Sequence, residues 1–132
     1  MYADWSYYSG TYGGSMPQAA AERMLQAATD AIDTVTFSRI VAKGWDNLTE
    51  FQQDLVRRAC CMQADFLNEN ADAVQSAMTS YSINGVSMAF GNPALYTIVN
   101  GTAMGNAAMS LLRRTGLASL IAFGPEVERA MA

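Results

Sequence analysis

A chain of 132 residues with a net charge of −4 fits one domain that buries its own core without disulfides or metal. Its 51% hydrophobic and 15% charged residues exclude general disorder, and the acidic balance argues against holding nucleic acid by neutralising phosphates. The absence of histidine removes the commonest general base and metal ligand, and with them any Ser-His-Asp hydrolase.

The first segment, "DWSYYSGTYGG" over 4–14, completes an arm in which Tyr2, Trp5, Tyr7, Tyr8 and Tyr12 are five of the thirteen aromatic residues. Glycines come at once after them, so an extended N-terminal arm over 1–14 is expected. Such an arm either folds back on its own helices or reaches a neighbouring molecule; concentrated aromatics favour the contact in trans. No basic region precedes an apolar run here, so no secretory signal is expected.

"PQAAAERMLQAATDAID" predicts a first helix from Pro17 to Asp33. Proline suits the first turn, and Ala21, Met24, Leu25, Ala28, Ile32 and Val35 make one apolar stripe. The β-branched run "TVTF" weakens it, and "FSRIVAK" predicts a short helix stopped by Gly44. From Thr49 to Asn70 a long helix is expected. Thr49 and Gln52 have capping-box spacing, and Phe51, Leu55, Ala59, Met62 and Phe66 form an apolar seam. Cys60 falls on the core side with Val56, and Cys61 on its border, as structural thiols rather than a redox pair.

"SYSINGVSMAF" alternates around Asn84-Gly85 and predicts a β-hairpin over 79–90. "GNPALYTIVNG" reads as an apolar connector without a set conformation. A last main helix is expected from Thr102 to Thr115, with Gly105 a weak point inside it and Gly116 closing it beside Leu117. The tail, 117–132, ends loosely, and its run "LIAF" is far too short to span a bilayer. The expected fold is mainly α: a small bundle of three main helices plus a short one, with an inserted hairpin, in a single domain over 1–132. Its core is placed over 15–116.

Candidates for chemistry are few. Asp30 and Asp33 lie three apart without a third ligand, so no metal is expected. "GTAMGN" lacks the lysine and preceding strand of a phosphate loop, so no cofactor is expected either. The pairs Arg57-Arg58 and Arg113-Arg114 read as solvated faces or subunit ion pairs. No enzyme is expected. Surplus apolar material on a small helical core favours a self-assembling or partner-binding protein.

The order of "YYSGTYGG", a proline-started helix, "DTVTFSRI", "VRRACCMQADFL", "SYSINGVSMAF" and "LLRRTGL" resembles the head–tail connector (adaptor) proteins of tailed bacteriophages, over nearly the whole chain. That resemblance implies a virion protein that forms a ring, commonly dodecameric, under the portal. The ring extends the DNA channel and docks the next neck or tail-terminator component, with assembly in the host cytoplasm. DNA would pass without specific binding and no membrane would be involved. Contact segments would be the arm (Trp5, Tyr7, Tyr8, Tyr12) and the hairpin (Tyr81, Ile83, Val86, Met88). An acidic lumen would draw on Asp65, Glu69 and Asp72. The alternative is a non-viral helical interaction or regulatory module.

Overall fold

The computed structural model describes residues 1–71, 96–99 and 101–118. The chain is mainly helical, a small bundle carrying one two-stranded antiparallel hairpin. Helix α1 spans Gln18–Val35, α2 Arg39–Lys43, α3 Glu50–Glu69 and α4 Asn106–Arg114. Strands β1 (Tyr96–Val99) and β2 (Thr102–Gly105) precede α4 directly.

Helices α1 and α3 pack through small side chains that let the two backbones approach. Ala21, Leu25, Ala28 and Ile32 are fully buried on α1, as are Val56, Ala59, Cys60 and Ala64 on α3. The Cys60 thiol lies 3.7 Å from the Leu25 carbonyl oxygen and 3.6 Å from Thr29 Oγ1, so it is tucked against the facing helix. Thr49 starts α3 with the expected capping box: Gln52 N–H donates to Thr49 Oγ1, and Thr49 N–H donates to Gln52 Oε1.

Between α1 and α2 the chain turns through Phe37 and Ser38, both in the left-handed region at φ +57° and +55°. Two consecutive side-chain-bearing residues there cost roughly 1–2 kcal/mol each relative to ordinary helix. Gly44 then ends α2 at φ +90°, as expected.

Helix α4 runs antiparallel to α3, because its last turn meets the first turn of α3. Gln52 Nε2 donates to the Thr115 carbonyl at 3.0 Å. Gly116 takes a left-handed φ of +78°, as its position predicts. A side chain takes part in the closure: Leu117 N–H donates to Thr115 Oγ1, which in turn donates to Leu112 O.

Four expectations need correction. The arm is not extended: residues 7–12 form a π-helical segment laid against the bundle. The last helix begins at Asn106 rather than Thr102, because Thr102–Gly105 pairs with Tyr96–Val99. The supposed connector therefore supplies a strand. Phe51 leaves the apolar seam and stands 58% exposed in the first turn of α3, where the Arg114 guanidinium rather than an apolar side chain lies over its ring. Cys61 is as fully buried as Cys60, because the arm covers the flank of α3 that would otherwise be border. The hairpin expected over 79–90 lies outside the described residues.

Two buried contacts hold the hairpin to α3. Gln63, fully buried, donates through Nε2 to Ala103 O at 3.0 Å and accepts from Gly105 N–H at 2.9 Å. Phe66 packs against Tyr96 with ring centroids 6.1 Å apart. Gly105 lies close against this ring: a Cβ there would stand 3.1 Å from Phe66 Cγ, a tight contact that the ring would have to relieve by shifting.

Candidate interaction site

The aromatic residues of the first twelve positions form a strap across α1 and α3. Asp4 begins it by accepting Tyr7 N–H at 2.9 Å through Oδ1. Gly13, at φ +79°, ends the π-helical segment, and Gly14 N–H closes onto Tyr8 O at 2.8 Å. Gly14 cannot carry a side chain: a Cβ would stand 2.0 Å from the Tyr8 ring.

Tyr8 is fully buried and its phenol is doubly engaged. It donates to Asp65 Oδ1 at 2.7 Å and accepts from Met16 N–H at 3.0 Å. Tyr12 donates to the other oxygen, Asp65 Oδ2, at 2.8 Å and stacks on Tyr8 at 5.6 Å. One carboxylate on α3 thus fastens two phenols of the strap. Burial first, and then the bond to Asp65, raises both phenols above the ordinary tyrosine range.

At the other end of the strap, Tyr2 donates through its hydroxyl to Asp33 Oδ1 and through its N–H to Thr29 Oγ1. Its ring stacks on Trp45 at 5.4 Å, and the Arg57 guanidinium lies 5.3 Å from the Trp45 ring. These side chains, with Asp4 and Tyr7, line a hollow of about 350 Å³. Tryptophan, tyrosine and arginine are the residues that dominate binding energy at protein interfaces.

The sequence candidates therefore divide. Tyr8 is spent inside its own chain and offers no outer surface. Trp5, Tyr7 and Tyr12 are half-buried and keep an accessible edge. Asp65 is half-buried with both oxygens bonded, whereas Glu69 is exposed. Asp72, Tyr81, Ile83, Val86 and Met88 lie outside the described residues. Asp33, which its spacing suggests only as half of a metal pair, serves as the Tyr2 acceptor. Among the described residues no three His, Cys, Asp or Glu side chains gather where they could hold a metal ion. Nor is any described helix long and apolar enough to cross a membrane.

Under the strap, burial pushes the Cys61 thiol up to about 12, aided by the charges of Cys60, Asp65 and Asp4. Cys60 is raised by burial as well. Thiols in such surroundings are poor nucleophiles at neutral pH.

A second surface escaped sequence reasoning. Around the end of the bundle where α4 finishes and α3 begins, Phe37 is 44% and Phe51 58% exposed, and Val41 on α2 is 65% exposed. Arg39 lies 4.9 Å from the Phe37 ring centroid, and Arg114 5.9 Å from that of Phe51. The signal is present in part: "TVTF" marks a break in the helix, but not that Phe37 is held outward on a left-handed turn. No protein-family model, curated protein sequence or solved structure matches the chain.

Proposed function

We propose that this chain is a structural protein of the tailed-phage neck, a head–tail connector that assembles into a ring beneath the portal and docks the next neck or tail component. The observation that carries a protein-contact role is the exposure of Phe37, Val41 and Phe51. Large apolar side chains left exposed on a small helical bundle are material for a contact with another protein. The order of sequence motifs supplies the connector identity.

Ring closure needs a heterologous contact, one patch meeting a different patch on the next copy. These exposed apolar side chains and the hollow beside Trp45 are two unlike surfaces of the required kind. The edges of Trp5, Tyr7 and Tyr12 extend the second. An acidic channel wall would rest on Glu69 and Asp72, since the Asp65 carboxylate is taken up by Tyr8 and Tyr12.

The test is electron microscopy and native mass spectrometry of the chain, alone and mixed with the portal protein encoded beside it. Rings on the portal are expected, and the gene should come after those of the portal and major capsid proteins. A monomer or dimer that ignores the portal and binds a soluble partner would overturn the reading in favour of a non-viral interaction module.

A further inference from the structure

The hollow beside Trp45 is lined by one cation, Arg57 of α3, half-buried with its guanidinium 5.3 Å from the Trp45 ring. Among the described residues this guanidinium forms no ion pair and no hydrogen bond. Its flat, permanently charged N–H fork matches the two oxygens of a carboxylate. Half-buried, it attracts an anion more strongly than a fully exposed arginine, whose charge water and salt screen.

The rest of the lining fits the same ligand. Tyr7 brings a phenol whose hydroxyl makes no hydrogen bond among the described residues. Burial, and after it the Asp54 charge, raises that phenol above the ordinary tyrosine range, so it stays a donor. Tyr2 and Trp45, stacked at 5.4 Å, supply flat apolar surface beside the charge. Asp4 also lines the hollow, but it stands exposed and its Oδ1 already accepts Tyr7 N–H at 2.9 Å. A volume of about 350 Å³ is small for a pocket that encloses a free ligand, and the exposed Asp4 leaves it open to solvent. Such a space suits side chains entering from a second protein.

We propose that this hollow receives an acidic segment of another protein, one carboxylate in the Arg57 fork beside Tyr7 and one aromatic side chain against Tyr2 and Trp45. In an extended segment, side chains two positions apart share a face. The motif it takes is therefore an acid and an aromatic residue separated by one position. The recognition stands on the hollow alone; only the assignment of that segment to a neighbouring subunit of a ring rests on the connector reading.

The experiment titrates the full chain, without portal, with the peptide acetyl-Ala-Glu-Ala-Phe-Ala-amide and follows the Trp45 indole N–H by two-dimensional NMR. A saturable shift of that signal is expected. With glutamine in place of the peptide's glutamate, affinity should fall about tenfold, the factor expected from a charge-assisted pair of hydrogen bonds. Arg57→Gln should weaken binding by a similar factor with unchanged helical circular dichroism. Arg58→Gln, at an exposed position that does not line the hollow, should leave it unchanged. Asp4→Asn keeps an acceptor for Tyr7 N–H, removes the opposing charge and should tighten binding. No shift, equal affinity for the two peptides, preference for a lysine peptide, equal losses at Arg57 and Arg58, or weaker binding by Asp4→Asn would each overturn the proposal. Ring formation has no part in this readout, so a failed connector reading leaves it standing.

Discussion

Asp65 shows how one residue decides the role of several others. Its two oxygens hold Tyr8 and Tyr12, so what reads in sequence as a surface acid is the anchor of the strap. Removing it as Asp65→Ala leaves a buried phenol short of an acceptor, and urea denaturation should show a loss of about 1–3 kcal/mol. Glu69→Ala, at an exposed position, should change stability by no more than about 0.5 kcal/mol. Gln63 is the more sensitive site. Gln63→Leu strips partners from the Ala103 carbonyl and the Gly105 N–H together, both buried, so a loss of about 2–4 kcal/mol is expected in the same measurement.

At the scale of elements, the strap is a lid over the two thiols, and Gly14 governs its seating. Gly14→Ala drives a methyl group into the Tyr8 ring, so the strap should lift while the helices stay folded. Alkylation of Cys61 at neutral pH should then accelerate, with unchanged helical circular dichroism; an alkylation rate equal to that of the unaltered chain would show that the strap is not seated by this contact. The α1–α2 turn holds the opposite kind of constraint. Ser38→Gly relieves a left-handed residue and should raise stability by about 0.5–1 kcal/mol, the gain being reduced by the greater freedom of glycine in the unfolded chain.

For the whole molecule, the phenol bonds give stability a dependence on alkaline pH. Tyr2, Tyr8 and Tyr12 are all raised above the ordinary tyrosine value of 10.0, chiefly by burial and then by their carboxylate partners. The unfolded chain therefore ionises first. Their contribution is complete below pH 10 and declines as pH rises from there toward the folded values. Tyrosinate absorbance should show part of the tyrosine titrating only as the fold opens. Tyr12→Phe should remove some of that late fraction; a titration in which every tyrosine behaves as a free one would overturn the strap's hydrogen bonding.

The amino-acid sequence alone determined the bundle. Helices α1 and α3 arise from apolar spacing and the Thr49–Gln52 box, and Gly44 and Gly116 end their segments, because such signals act through neighbours within a few residues. Even the described hairpin had its mark in Asn100-Gly101 between "YTIV" and "TAMG". It was hidden because "TAMG" has little β-branching and its strand character comes from Gln63 and Phe66, some forty residues earlier. Only the tertiary structure decided where the aromatic arm goes and which apolar side chains stay outside. Tyr8 finds Asp65 across 57 positions, and Phe51, in the first turn of α3, stays 58% exposed with the Arg114 guanidinium of α4 lying 5.9 Å from its ring. Periodicity tells which face of a helix is apolar; whether that face is covered depends on the lengths and ends of the elements packed against it.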